Sequence, residues 1–401
     1  MALNSSPVVI VASNRTPIGA FQGGLKALMT PNLGAEAIKG LMQKIKHNNF
    51  FIDDVILGCV IQAGLGQAPA RQAVLKAGLA NSISATTINK VCGSGMSAIM
   101  CGVDQIKSGH SVCVIAGGME SMSNAPYLLP KARSGLRMGH GAVIDSLFFD
   151  GLEDACGDNL LASRTLMGIF AEATAEKYKL SRAMQEEFAM QTFEKYHNNI
   201  HHHQTEITPI TFDSGYGAMV TIDADEPPQK VIVNKFSSLR PAFKKEGTVT
   251  AATSSSLADG AAVLLLMHEA YANIQELPIL ARIIGAAQYA HAPEWFTTAP
   301  VGAIKKLLSK MDWDLESVDL FEINEAFAVV PMVAMQELGI TRDKINIFGG
   351  ACTIGHPIGC SGTRIIVTLI NALKQKKLRR GIAAVCIGGG EALALAIEVN
   401  E

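Results

Sequence analysis

Apolar positions along the chain fall into two alternating rhythms. Short unbroken runs such as "PVVIVA" (7–12), "VILGCVIQ" (55–62), "SVCVIAGG" (111–118) and "AAVCIGGG" (383–390) read as strands buried on both faces. Between them, apolar residues recur at three- and four-residue steps. In "LGAEAIKGLMQKI" Leu33, Ala37, Ile38, Leu41 and Ile45 form one face of a helix, and "APARQAVLKAGL" (68–79) predicts a second. Strands alternating with amphipathic helices define the α/β class.

Two distant segments share one order of parts. "CGSGMSAIMCGVDQIKSGHSVCVIAGGMES" (92–121) runs glycine step, helix, loop, buried strand, glycine pair. "CSGTRIIVTLINALKQKKLRRGIAAVCIGGGEAL" (360–393) repeats it. Two copies predict a duplicated domain packed on itself, with the segment near Cys360 matching that near Cys92. The pattern breaks between 127 and 258. There a glycine-rich basic loop ("KARSGLRMGHG"), a helical region (170–200) and a Pro- and charge-rich stretch ("DADEPPQKVIVNKF") predict an insertion lying over one face of the core.

Composition narrows the function classes. The net charge of −2 and the lack of a long basic run disfavour nucleic-acid binding. No CxxC pair occurs among the eight cysteines, so zinc-ribbon and thioredoxin-type sites are not expected, and cysteines inside apolar runs suit a reducing compartment. The N-terminal apolar run is too short for a signal peptide. The C-terminal one is interrupted by Glu391 and three glycines, which argues against a membrane span. A cytoplasmic protein is expected.

Four stretches hold candidate chemistry. Cys92, in "NKVCGSGMSAI", stands before a helix, where unpaired N–H groups would lower a thiol pKa; Gly93 and Gly95 would leave backbone open to a ligand. The alternative is a small buried filler. His356, between Gly355 and Pro357, is either a general base or a loop histidine bonded to a carbonyl. Asn324, in "VDLFEINEAFAVV", either caps the following helix or orients an imidazole or a water. Cys386, before three glycines, is either core or a thiol able to take and return a proton. The triplet His201–His203 reads as a solvated run, because adjacent helical residues diverge by about 100° and cannot close on one metal.

Taken together, "NRTPIGAFQGGL", "GQAPARQA", "NKVCGSGMSAI", "GGMESMSNAPY", "LRPAFKKEGTVTA", "NEAFA", "GHPIGCSGTR" and "CIGGG" make the chain resemble the thiolase family, in the family's order and over almost its whole length; the short-chain, biosynthetic type is the nearest in pattern. The resemblance implies a five-layer αβαβα core built from two βαβαβαββ halves with an inserted loop domain. The halves would span 1–126 plus 259–279 and 280–401, with the loop domain at 127–258. It implies that Cys92 is the acylated nucleophile, His356 its base and Cys386 the second acid–base. Asn324, through a water, and His356 would hold one thioester oxygen, and the N–H groups of Cys92 and Gly388 the other. The implied reaction is ping-pong Claisen condensation of two acetyl-CoA to acetoacetyl-CoA, and its reversal. It needs no metal or redox cofactor, no nucleic acid and no membrane; a homotetramer is the family's expectation.

Coenzyme A contacts implied by the resemblance are Met167, Phe243, Ala251, Ser255, Leu257, Ala326 and Phe327. The chain also departs from the family. Leu166 replaces a histidine, "ACGDNLLASR" adds about six residues, and Phe348 replaces the second asparagine of "NxNGG". Thr253 and Ser256 replace Asn and Gly, and Pro228 replaces a phosphate-binding arginine for which Lys230 or Lys235 would substitute. Three other activities fit parts of the pattern: a degradative 3-ketoacyl-CoA thiolase with longer substrates, a decarboxylating condensing enzyme, and a non-catalytic CoA- or lipid-binding relative. The second lacks the cysteine of "CIGGG", and the third would be expected to have lost Cys92 or His356.

Overall fold

The computed structural model describes residues 7–45, 50–156, 164–213 and 217–400. The first half runs β1 (Val8–Arg15), α1 (Thr30–Gln43), β2 (Asp54–Gly58), α2 (Pro69–Lys76), β3 (Ser84–Ile88), α3 (Ser94–Lys107) and β4 (Cys113–Ser121). After the insertion it closes with β5 (Ala258–His268). The insertion contributes α4 (Met167–Lys177), α5 (Arg182–Asn198) and α6 (Ile200–Glu206). The second half runs β6 (Ala281–Ala290), α7 (Ala299–Met311), β7 (Leu320–Ile323), α8 (Val329–Leu338), α9 (Ile358–Lys376), β8 (Arg380–Ile387) and β9 (Glu391–Glu398).

Strand order exposes the duplication. The first half pairs as β3-β2-β4-β5-β1 and the second as β7-β8-β9-β6, and the halves join where β1 meets β6 antiparallel over three residues. The second half's counterpart of β3 is reduced to one parallel bridge, between Phe321 and Ile345. With that bridge counted, both halves show the same order and the same parallel inner pairs, β2 with β3 and β4, and β7 with β8.

Helices fill three layers around the two half-sheets. Met96 and Ile99 of α3 and Ile365, Ile366 and Leu369 of α9 pack between them, against Leu264 of one and Val385 and Leu395 of the other. Leu33, Ile38 and Leu41 of α1 with Val74 of α2 cover one outer face. Ile304 and Leu307 of α7 with Val330 and Val333 of α8 cover the other. The αβαβα order shows in which helices are buried all round. Buried residues run down almost every position of α9, whereas α1 and α7 keep polar outer faces.

Glycines at the centre allow the middle helices to approach. A Cβ on Gly118 would lie 1.9 Å from the carbonyl oxygen of Gly359, one on Gly95 2.9 Å from the same atom, and one on Gly362 2.6 Å from the amide of Met96. These glycines therefore serve backbone-to-backbone packing. Gly93 and Gly95 do not open the backbone to a ligand as the sequence suggested, since a Cβ on Gly93 would strike Ile387 at 2.4 Å.

An ionic knot ties the insertion to β1. The fully buried Arg15 contacts Glu206 Oε2 at 2.7 Å and Asp225 Oδ1 at 2.7 Å, and Tyr196 Oη donates to Asp225. His203 is completely buried here. Its Nε2 lies 2.7 Å from the carbonyl of Phe348, whose ring stacks on His202 at 4.7 Å. The histidine triplet is thus not a solvated run: its third member is a core contact, and its second packs on the aromatic ring that replaces the family's asparagine. No group of described residues has three His, Cys, Asp or Glu side chains arranged to hold a metal ion, and no described helix is long and apolar enough to cross a membrane.

Candidate active site

Cys92 stands just before α3, at the end of a turn whose strain is local. Val91 adopts φ of 47°, a left-handed conformation that a β-branched residue avoids at a cost of about 1–3 kcal/mol. The turn is pinned from several sides. Asn89 Oδ1 accepts from Val91 N at 3.0 Å, Ser94 Oγ accepts from Lys90 N at 2.8 Å and donates to the Val91 carbonyl at 2.7 Å, and Lys90 pairs with Glu391. The result presents the thiol to a cavity of about 600 Å³ that it shares with His356 and Gly388.

The electrostatics of the thiol run against the sequence-based expectation. Burial pushes the Cys92 pKa up to about 11, and the approaching N–H groups of Gly388 and of Cys92 itself only partly offset this; the charge of Glu120 adds to the rise. The N–H at the helix start is present, but desolvation outweighs it. Cys386 does not line the cavity. It is fully buried at the end of β8, and its thiol is also pushed up, first by burial and then by the neighbouring Cys92.

His356 is fixed by its loop. Its N–H donates to the Ser256 carbonyl at 2.9 Å, and its Nδ1 lies 2.5 Å from Ser361 Oγ. Nε2 is buried without a protein partner. Burial, then the charge of Arg364, lowers the imidazole pKa to about 3, so the ring is neutral at neutral pH. A neutral thiol and a neutral imidazole therefore face one cavity.

Asn324 follows β7, its N–H bonded to the Ala384 carbonyl at 2.9 Å. Neither Oδ1 nor Nδ2 has a protein partner although the side chain is buried. It does not cap α8, which begins five residues later at Val329. Its neighbour Glu325 does the anchoring, accepting from Asn346 Nδ2 at 2.8 Å, Thr192 Oγ1 at 3.0 Å and Cys352 N at 3.1 Å. Buried polar atoms left unpaired by protein are atoms a ligand or solvent can satisfy.

Of the anticipated coenzyme A contacts, Met167, Phe243, Ser255, Leu257, Ala326 and Phe327 line the cavity. Phe243 and Phe327 meet edge to face at 5.8 Å, backed by Phe296. Ala251, Lys230 and Lys235 are exposed and lie off its wall. Leu166, in place of the family's histidine, lines it. Most of the added segment, 157–163, falls outside the described residues.

Sequence reasoning missed three groups. Phe148, Phe149 and Leu152 form an apolar wall on a single π-helical turn, whose five-residue step no apolar period announces. Arg164 lines the same wall, its guanidinium 4.2 Å above the Phe149 ring. Glu120, within "GGMESMSNAPY", is fully buried outside the cavity wall, near enough to Cys92 for its charge to act on the thiol. Burial pushes its pKa up to about 7, against the pull of N–H donors from Val60, Ile61 and Gly359. A carboxylate inside an otherwise apolar strand was the available signal.

Comparison with known proteins agrees with this architecture. The thiolase N-terminal domain matches residues 8–270 and the thiolase C-terminal domain residues 277–399. The chain belongs to the thiolase family. It is 44% identical over 393 residues to the acetyl-CoA acetyltransferase of Pseudomonas aeruginosa, covering 97% of this chain and 98% of that protein. It is 43% identical to acetyl-CoA acetyltransferase 2 of Arabidopsis thaliana, covering 99% and 98%. The crystal structure of the Bacillus anthracis acetyl-CoA acetyltransferase superposes with a TM-score of 0.94 at 39% identity, covering 98% of this chain and 99% of that one.

Proposed function

We propose that this chain is an acetyl-CoA C-acetyltransferase. It condenses two acetyl-CoA to acetoacetyl-CoA and CoA, and catalyses the reverse thiolysis, through an acetyl-Cys92 intermediate. His356 Nε2 takes the thiol proton as sulfur attacks the acetyl carbonyl. The CoA thiolate leaves with a proton from Cys386. The Cys386 thiolate then removes an α-proton from a second acetyl-CoA, and the enolate attacks acetyl-Cys92. Acetoacetyl-CoA departs and the Cys92 sulfur regains the proton held by His356. Keeping the acyl group as a thioester preserves its activation between the two steps.

A thiol is a weak base for a carbon acid, so the enolate oxygen must be stabilised; one well-placed donor contributes about 3 kcal/mol. Asn324, through a water, and His356 take that part, and the N–H groups of Cys92 and Gly388 serve the acyl-enzyme oxygen. Met167, Phe243, Ser255, Leu257, Ala326 and Phe327 hold the pantetheine arm, and the exposed Ala251, Lys230 and Lys235 flank its nucleotide end. No step requires a metal or redox cofactor. The supporting observation is the convergence of Cys92, His356 and the Gly388 N–H on one largely apolar cavity, with Cys386 in electrostatic contact with Cys92. The names of the relatives point the same way. Intact-mass measurement after mixing with acetyl-CoA tests it: one acetyl group should appear on Cys92 and vanish in Cys92→Ala. An unlabelled wild-type chain would reject the reading.

The same reading makes the protein a cytoplasmic homotetramer. For self-association the support is β3, a partly exposed strand that among the described residues is paired on one side only and leaves an open edge for a second copy. Light scattering on the purified chain decides between this and a monomer.

A further inference from the structure

Ser361 occupies the first turn of α9, completely buried and outside the cavity wall. Its Oγ has two near neighbours: the Pro357 carbonyl oxygen at 3.0 Å and His356 Nδ1 at 2.5 Å. A carbonyl has no proton to give. The hydrogen bond between Ser361 and Pro357 therefore uses the serine's own proton, on a carbonyl that also accepts from the N–H groups of Cys360 and Ser361 at 3.0 Å each. That leaves Ser361 Oγ only a lone pair to offer the imidazole, so the ring proton sits on Nδ1. The other nitrogen, Nε2, is then bare. It is also the ring atom with no protein partner, on a side chain that lines the cavity with Cys92.

We propose that Ser361 is a positioning residue that fixes His356 as the Nδ1–H tautomer and thereby keeps Nε2 as the proton acceptor facing Cys92. The Pro357 carbonyl takes part as the group that commits the serine hydroxyl, and α9 supplies the geometry, because a serine one turn along a helix reaches the carbonyl four residues back. With the opposite tautomer, Nε2–H would be a buried donor aimed at a thiol, and the pair would have no vacant base. The low basicity of the buried ring keeps it neutral, which is the state in which tautomer identity matters.

The proposal rests on the reading of His356 as the base, but its first test does not. The full chain is labelled with ¹⁵N-histidine, and the His356 ring signals are assigned by their loss in His356→Asn. The expected spectrum at neutral pH shows Nδ1 protonated and Nε2 unprotonated; a protonated Nε2 in the wild-type protein overturns the proposal. Ser361→Ala is then compared by the same spectrum and by rapid-quench acetylation of Cys92. Its ring should move toward the Nε2–H form and acetylation should slow about ten- to hundredfold, while KM for acetyl-CoA stays within about twofold. Ser361→Thr, which keeps the hydroxyl, should restore the wild-type spectrum. An unchanged tautomer and rate in Ser361→Ala also overturn the proposal. Should Ser361→Ala fail to fold, the wild-type spectrum alone decides. Absence of acetylation in the wild-type chain would sink the functional reading instead, and leave the tautomer assignment to the spectrum.

Discussion

Glu120 Oε2 accepts a hydrogen bond from the Gly359 N–H at 3.0 Å, across 239 positions of sequence. The same carboxylate accepts from Val60 N at 2.9 Å and Ile61 N at 3.2 Å. It thus clamps the start of α9, three residues after His356, to the loop leaving β2. Glutamine keeps the shape but turns an NH₂ group toward these donors, leaving at least one buried N–H unpaired at about 1–3 kcal/mol. Glu120→Gln is expected to lower the melting temperature and to depress kcat more than KM. Thermal denaturation and steady-state kinetics check this, and a variant matching wild type in both would show the clamp to be dispensable.

Two glycines near the site should behave in opposite ways. A Cβ at Gly118 would sit 1.9 Å from the Gly359 carbonyl, a distance no backbone relaxation of a few tenths of an ångström repairs. At Gly388 the nearest atom would be Met167 Cε at 3.5 Å, ordinary contact, and the N–H would remain. Gly118→Ala is expected to abolish soluble folded protein, whereas Gly388→Ala should fold, melt close to wild type and still form acetyl-Cys92. Circular dichroism and intact-mass labelling read the two outcomes.

This contrast also marks how far sequence reasoning reached. Local periodicity carried the helices: the 3-4 spacing from Leu33 became α1, and "APARQAVLKAGL" became α2. The duplicated segments became α3–β4 and α9–β8. It failed where a distant group decides. "VILGCVIQ" reads as one strand, yet β2 stops at Gly58, because the N–H groups of Val60 and Ile61 turn to Glu120. The glycines around Cys92 were read as openings for a ligand, because nothing local shows that Ile387 of β8 covers Gly93 and α9 covers Gly95. His203 looked solvated because its partner, the Phe348 carbonyl, lies 145 positions away. At the site the residue types were legible from motif order, but not the charge states. At a helix start the N–H groups lower a thiol pKa, but at Cys92 desolvation outweighs them, and the depth of Cys92 is a tertiary property.

That depth has a kinetic signature. Burial raises the thiol pKa to about 11 and lowers the imidazole pKa to about 3, and both shifts favour a neutral resting pair at neutral pH. Alkylation of Cys92 by iodoacetamide should rise roughly tenfold per pH unit from pH ~6 to ~9, without an acidic plateau, since the reactive thiolate fraction grows that way below its pKa. A plateau beginning near pH 4–5 would mean a preformed ion pair and would contradict the assigned charge states.

The Arg15 knot predicts stability rather than rate. Burial would push Glu206 up, but the Arg15 guanidinium more than reverses this and holds its pKa near about 2; Asp225 is lowered by the same balance. A carboxylate depressed in the folded state stabilises the fold above its unfolded pKa, near about 4.3 for glutamate, and loses that contribution as pH falls through the folded value. Stability should therefore decline from about pH 4.5 toward pH 2. Arg15→Met should remove this share of the decline and cost about 3–5 kcal/mol at neutral pH, because it strands two buried carboxylates. The insertion depends on this knot through Tyr196, His203 and Glu206. Limited proteolysis of Arg15→Met should then cut within 182–206 before the core, and urea melts at pH 7 and pH 3 should converge relative to wild type. Equal melts for the two proteins at both pH values would show that the knot contributes nothing net to the fold.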